Sequence, residues 1–179
     1  CGYVGAAAYP KFVGGLSFSG DWKGIDLSFL FQAGLGRDVA LTGVYSGGIM
    51  DNTQMTKPFY HGGNSPKYLV ENSWREDNTN AEFPRLSIVQ ASSNNAYSST
   101  FWYRSGDYLR LKNLQIGYTF PQKWMSRIGI DRLRIYFEGQ NLWTVSELTK
   151  FNIDPEQPGV SNGYYPQQRI FSFGVNLAF

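Results

Sequence analysis

Near its C-terminal end the chain alternates strictly. Phe171, Phe173, Val175, Leu177 and Phe179 are large and apolar, while Ser172, Gly174, Asn176 and Ala178 between them are small or polar. A period of two marks a strand with two different faces. The pattern recurs upstream: Phe12, Gly14, Leu16 and Phe18 oppose Lys11, Ser17 and Ser19, and Ile25, Leu27, Phe29 and Phe31 oppose Asp26, Ser28 and Gln32. Leu133, Ile135 and Phe137 oppose Arg132, Arg134, Tyr136, Glu138 and Gln140, a face too charged for a packed sandwich core but suited to water. Strands are therefore predicted over Lys11–Gly20, Gly24–Ala33, Tyr108–Phe120, Asp131–Trp143 and Gln168–Phe179. In a soluble sandwich their apolar faces would meet a second sheet; in an outer-membrane β-barrel they would meet lipid, with a wet lumen opposite. In the third segment, YLRLKNLQIGYTF, the apolar positions move from odd (Leu109, Leu111) to even (Leu114, Ile116, Tyr118, Phe120). That shift predicts a β-bulge near Lys112 and Asn113, or a strand whose upper part stands clear of the membrane.

The connections separate the two architectures. Only Asp21–Lys23 joins the first two strands, and PQKWMSRIGI, with room for one helical turn stopped at Gly129, joins the third and fourth. Residues 34–107 and 144–167 form long connections. Short turns alternating with long loops are the habit of outer-membrane barrels and unusual in compact domains. With the short turns periplasmic, parity brings Phe179 to the periplasmic side and starts the first strand outside. Five strands are also too few to close, so the chain is expected to lack the N-terminal part of a longer protein. In the first long loop, SPKYLVENSW predicts about two turns of helix with Ser65 as N-cap and Pro66 at the first helical position, and the turn-rich NTNAEFPRL follows. An ordered loop structure is expected there.

Composition adds the usage of turn-rich β-structure: 17 % aromatic against 17 % charged residues, with 20 glycines, 12 tyrosines and 5 tryptophans. No stretch approaches the roughly 18 apolar residues of a membrane-spanning helix, which leaves a barrel open because its strands need only about ten alternating residues. A net charge of +2 with dispersed lysines and arginines gives no nucleic-acid footprint. The single cysteine, Cys1, excludes an intramolecular disulfide; it would suit a lipidated N-terminus or an arbitrary start point.

Candidate chemistry is sparse. His61 in YHGGN lacks neighbouring ligands and reads as a polar loop residue. Glu76, Asp77, Asn78 and Asn80 are hard oxygen donors whose order fits no EF-hand, so Asx turns account for them more simply than calcium. Asp154 and Glu156 flank Pro155 in the manner of paired glycosidase carboxylates, but nothing in the sequence supplies the cleft that chemistry needs, so no catalytic residues, cofactor or enzymatic activity are expected. Aromatics at the predicted outer strand ends are better candidates. Trp74, Trp102, Tyr103, Trp143, Tyr164 and Tyr165 could stack on sugar rings or anchor a protein partner, or else form the interfacial girdle of a barrel. Trp22 and Trp124, in the short turns, read as girdle. Arg134, Glu138 and Gln140 would line the lumen and offer hydrogen bonds to substrate.

The blocks SGDYLRLKNLQIGYTFPQKW, IGIDRLRIYFEGQNLW and YYPQQRIFSFGVNLAF resemble the C-terminal part of the SusC/RagA family of TonB-dependent outer-membrane transporters. SWREDNTNAEFPRL resembles the loop motif before them, and YPKFVGGLSFSGDWKGIDLSFLFQAGLGRDV the preceding strand pair. The resemblance spans nearly the whole chain. It implies that residues 1–179 supply about five strands of a barrel of roughly twenty-two, with the plug and most strands absent. It further implies import of oligosaccharides or peptides beneath a SusD-like lipoprotein lid, energised by the TonB complex through the missing N-terminal part. Phe179 would then be the aromatic read by the barrel assembly machinery. The opposing expectation is a soluble or surface-attached β-sandwich that binds carbohydrate on aromatic loops.

Overall fold

The computed structural model describes residues 7–41, 67–86, 99–157 and 167–179. The chain divides into two compact units: one comprises residues 11–35, 108–145 and 166–179, the other 1–10, 36–107 and 146–165.

The first unit is a sheet built from β1 (Phe12–Trp22), β2 (Ile25–Leu35), β5 (Tyr108–Thr119), β6 (Arg132–Ser146) and β7 (Ile170–Ala178), in that spatial order. These are the five strands the alternation predicts. The hairpin between β1 and β2 is tighter than expected, because Trp22 already pairs with Ile25 and leaves only Lys23 and Gly24 as the turn. Both have positive φ, 50° and 87°, the geometry whose twist suits a two-residue hairpin. A side chain at Gly24 would also bring a Cβ to 2.6 Å from the Thr119 carbonyl oxygen.

The predicted bulge is present. Leu30 pairs with Asn113 and Phe31 with Leu111, which leaves Lys112 as the extra residue. The two phases of the β5 sequence are thereby reconciled. Leu109, Leu111, Leu114, Ile116 and Tyr118 oppose Ala33, Phe31, Phe29, Leu27 and Ile25, and those in turn oppose Gly14, Leu16, Phe18, Gly20 and Trp22. On the far side Leu133, Ile135 and Phe137 pair with Leu177, Val175 and Phe173. Between β5 and β6 lies the short helix α2 (Gln122–Met125), then a 3₁₀ turn over Ser126–Ile128 ended by Gly129 at φ 75°. That is the single turn and the glycine stop expected from the sequence.

The second unit holds β3 (Asp38–Ala40) paired antiparallel with β4 (Tyr103–Ser105), α1 (Lys67–Glu71) and 3₁₀ turns over Thr100–Trp102 and Glu147–Phe151. Of the helix expected over Ser65–Trp74, Lys67–Glu71 is helical and ends before Ser73; its proposed Ser65 and Pro66 start lies outside the described residues. Its core is Val39, Leu41, Leu69, Phe83, Trp102, Leu148, Phe151 and Ile153. These come from four stretches, at residues 39–41, 69–83, 102 and 148–153, so both long connections contribute to one ordered structure.

Candidate functional sites in the sheet and the loops

On the sheet, the polar side chains share the face opposite the apolar one. Asp26 on β2 and Arg134 on β6 meet across the intervening strand in a bidentate pair, Nε to Oδ1 at 2.9 Å and Nη2 to Oδ2 at 2.5 Å. The gap they cross is Gly117 of β5. A Cβ there would stand 2.5 Å from Asp26 Oδ1 and 2.6 Å from Arg134 Nη2, so the glycine is what lets the two-strand span close. The Arg134 guanidinium also lies 4.8 Å from the Tyr136 ring centroid. Two of the Arg134 N–H groups are thus taken up by Asp26 within the sheet. Glu138 and Gln140 share its face and bond to each other, Nε2 to Oε1 at 3.2 Å.

Nearer the opposite strand ends, Arg110 is only 2 % exposed. Its Nε donates to Thr144 Oγ1 and its Nη1 to Gln167 Oε1, both at 2.9 Å. Beside it Gln32 donates to the Tyr108 hydroxyl at 3.2 Å, with the Tyr108 ring lying over Gly34. Sequence reasoning did not single out Arg110, Asp26 or Gly117. The available signal for Arg110 was its place between Leu109 and Leu111, on the polar side of an alternating run.

In the loop unit the organising group is the Glu82 carboxylate. Tyr68 donates to its Oε2 at 2.7 Å, and Arg104 and Lys150 reach Oε1 at 3.1 and 3.3 Å. Glu147 lies 3.7 Å from each of the same two cations and accepts the Ser105 backbone N–H at 3.1 Å. Burial alone would raise the Glu82 carboxyl; the hydrogen bonds from Tyr68 and Arg104 and the charge of Lys150 outweigh it and hold the group below the usual carboxylate range. The same hydrogen bond to Glu82 pushes the Tyr68 phenol up. Arg104 and Lys150 also face the Phe151 ring, at 5.6 and 4.7 Å from its centroid. The network ties residues 68, 82, 104 and 147–150 together above the core.

The aromatic candidates separate into groups. Trp102 is a correction: it is 4 % exposed, stacked on Phe83 in the core, and presents no free ring to a partner. Tyr103 is half-buried in β4. Trp74 and Trp143 are exposed, as are Trp22 and Trp124 in the short turns and Phe179 at the chain's end. Tyr164, Tyr165 and His61 lie outside the described residues. Of the candidate calcium donors, Asn78 donates to the Glu71 carbonyl and exchanges backbone hydrogen bonds with Arg75, while Asp77 pairs with Arg75 at 3.2 Å; the turn is closed by backbone bonds and an ion pair, not by the Asx bonds expected. Asp154 Oδ1 accepts the Glu156 backbone N–H at 2.8 Å, an Asx turn around Pro155.

Comparison with known proteins supplies the context for this arrangement. No protein-family model matches the chain. Among curated proteins it is 28 % identical over 95 % of its length to TonB-dependent receptor P3 of Formosa agariphila. It is 30 % identical over 57 % of its length to TonB-dependent receptor SusC of Bacteroides thetaiotaomicron. Among solved structures, the RagAB peptide importer superposes in its open-open state with a TM-score of 0.64 over 97 % of the chain, and in its closed-closed state with 0.66 over 98 %, each at 28 % identity. The chain spans 16 and 17 % of the length of the first two curated relatives, and 18 % of the importer chains.

Proposed function

We propose that this chain, similar to a TonB-dependent receptor over 95 % of its length and to the RagAB importer over 97 %, forms part of the wall and outer loops of an outer-membrane importer. The observation that carries the reading is the pairing of two unlike faces on one sheet. Leu16, Phe18, Ile116, Ile135, Phe173 and Val175 stand exposed on one side; on the other, Asp26 pairs with Arg134, Arg110 donates to Thr144 and Gln167, and Glu138 accepts from Gln140. An apolar face that wide is costly in water and stabilised by lipid, whereas a charged face suits a wet lumen.

On this reading the loop unit faces outward, where it contributes to the surface met by a SusD-like lipoprotein and to the passage taken by an oligosaccharide or peptide. Transport is energised by the TonB complex through other parts of the protein. Phe179 is the aromatic that the barrel assembly machinery reads. The soluble-sandwich alternative is disfavoured because Leu16, Phe18, Phe173 and Val175 on the apolar face are 66, 51, 82 and 59 % exposed.

The test uses single cysteines in the full-length receptor on whole cells. A cysteine at Asp77 should react with a membrane-impermeant thiol reagent and one at Lys123 should not, and uptake should collapse when the TonB complex is deleted. The reverse labelling pattern would overturn the orientation, and TonB-independent uptake the energetics. Shortening residues 144–167 to a turn is a poor test, since Leu148, Phe151 and Ile153 belong to the loop core.

A further inference from the structure

Residues 72–86 fold back on themselves and leave the Trp74 ring partly exposed and Arg85 without a partner among the described residues. Ser73 bridges Phe83, the Trp74 N–H donates to the Phe83 carbonyl at 2.9 Å, and the Phe83 N–H donates to the Asn72 carbonyl at 2.9 Å. The Phe83 ring is buried in the core, so the backbone on either side of it is held. Trp74 nevertheless keeps 37 % of its surface exposed. Arg85 is exposed and has neither an ion pair nor a hydrogen bond among the described residues.

These two side chains stand between two hollows and line both, one of about 420 Å³ and one of about 380 Å³. Both volumes lie in the range of small-ligand sites. The larger hollow adds Phe101, whose ring is fixed edge-on against buried Trp102 at 4.8 Å between centroids. Its one carboxylate, Glu82, is already satisfied by Tyr68, Arg104 and Lys150, which leaves Arg85 as the uncompensated charge. The smaller hollow adds Glu76, an acceptor, and Arg75, which Asp77 neutralises.

We propose that this ridge binds an oligosaccharide carrying anionic groups. One ring packs its apolar face on Trp74 and Phe101 and sets a carboxylate or sulfate on Arg85. Its neighbour occupies the smaller hollow and donates hydroxyls to Glu76. An acidic peptide would also find Arg85, but Glu76 on the other side of the ridge repels a run of carboxylates and accepts from sugar hydroxyls. The proposal rests on the import reading and names the substrate class for it.

The experiment titrates the purified full-length receptor with four probes: an oligosaccharide alternating galacturonic acid with neutral rhamnose, a galactose oligomer sulfated on alternate rings, a neutral galactose hexamer and a glutamate-rich peptide. At least one anionic sugar should bind, and the carboxylate and sulfate arms decide which anion is preferred. Trp74→Ala should weaken that binding about tenfold or more. Arg85→Gln should weaken it by about tenfold, Arg85→Lys should retain most of it, and neutral-sugar binding should change little with either. Failure of the wild-type receptor to bind either anionic sugar would overturn the site, as would unchanged binding in both variants. Binding of the acidic peptide with the same loss in both variants would overturn the substrate class. None of these outcomes alters the whole-cell labelling pattern or TonB dependence, so failure of the site is distinguishable from failure of the import reading.

Discussion

In the sheet, Leu16, Phe18 and Phe173 are 66, 51 and 82 % exposed; in the loop unit, Leu69, Phe83 and Leu148 are at most 1 % exposed. The same residue types are sorted by opposite rules because the two regions meet different solvents. The loop unit behaves like a small water-soluble domain, with a contiguous apolar core and its charges on the outside. The sheet turns its apolar side chains outward and gathers its charges on the other face, where Asp26, Arg134 and Arg110 are tied to partners on neighbouring strands. One stretch of chain can therefore pass from one set of rules to the other within a few residues. β2 ends at Leu35 on the apolar face, and Val39 and Leu41 are already core residues of the loop unit.

The comparison breaks most sharply at the loop core. Phe83→Ala removes a fully buried ring that touches Tyr68, Trp102 and Phe151, and should destabilise the loop unit by about 3–5 kcal/mol. Hydrogen exchange in the full-length receptor should then show lost protection at Trp74 and Leu41, while the heat-modifiable gel mobility of the barrel is unchanged. A barrel that fails to assemble in this variant would mean that the two units are not energetically separate.

A smaller effect, confined to the other unit, is expected from Phe29→Arg. Phe29 sits mid-strand on the apolar face, stacked on Phe18 at 5.3 Å, and a guanidinium there should cost about 2–4 kcal/mol if the face meets the bilayer midplane. The measurement is the fraction of receptor inserted into outer membranes. Wild-type insertion would show that this face meets water or protein instead of lipid.

The smallest expected effect sharpens the electrostatic side. Glu82→Gln keeps the shape but leaves Arg104 and Lys150 with Glu147 alone, and should cost the loop unit about 1–3 kcal/mol near neutral pH. Glu82 is held below its unfolded value, so its contribution is complete above the unfolded carboxylate pKa of about 4.3 and is lost as pH falls through the lower folded value. Wild type and variant should therefore converge in hydrogen-exchange protection as the medium is acidified. A gap that widens toward low pH would contradict the assigned charge state.

Much of the sheet was legible from the sequence because a strand's two faces are written locally, in every second residue. Even the bulge at Lys112 announced itself as a change of phase at Leu111 and Leu114. The turn at Gly129 was legible for the same reason, since a left-handed residue is a property of one position. The candidate sites were less so. Arg134 was placed on the correct face, yet its commitment to Asp26 depends on a glycine, Gly117, that lies next to neither in sequence. Trp102 read as a loop aromatic free to bind, because nothing near it in the chain announces the phenylalanine ring that covers it.

By itself the sequence determined the strands, their two solvents, the short turns and the likeness to a family of membrane receptors. All of these follow from short-range periodicity or from residue order. Only the tertiary structure decided which loop residues become a core and which are left over to meet a ligand. Leu69, Phe83, Trp102 and Phe151 are brought together by chain reversals tens of residues long, and burial is a property of that assembled whole. The same assembly buries Trp102 and leaves Trp74 exposed beside Arg85, which has no ion pair among the described residues. Two tryptophans in polar loop sequence look alike until the chain between them has folded.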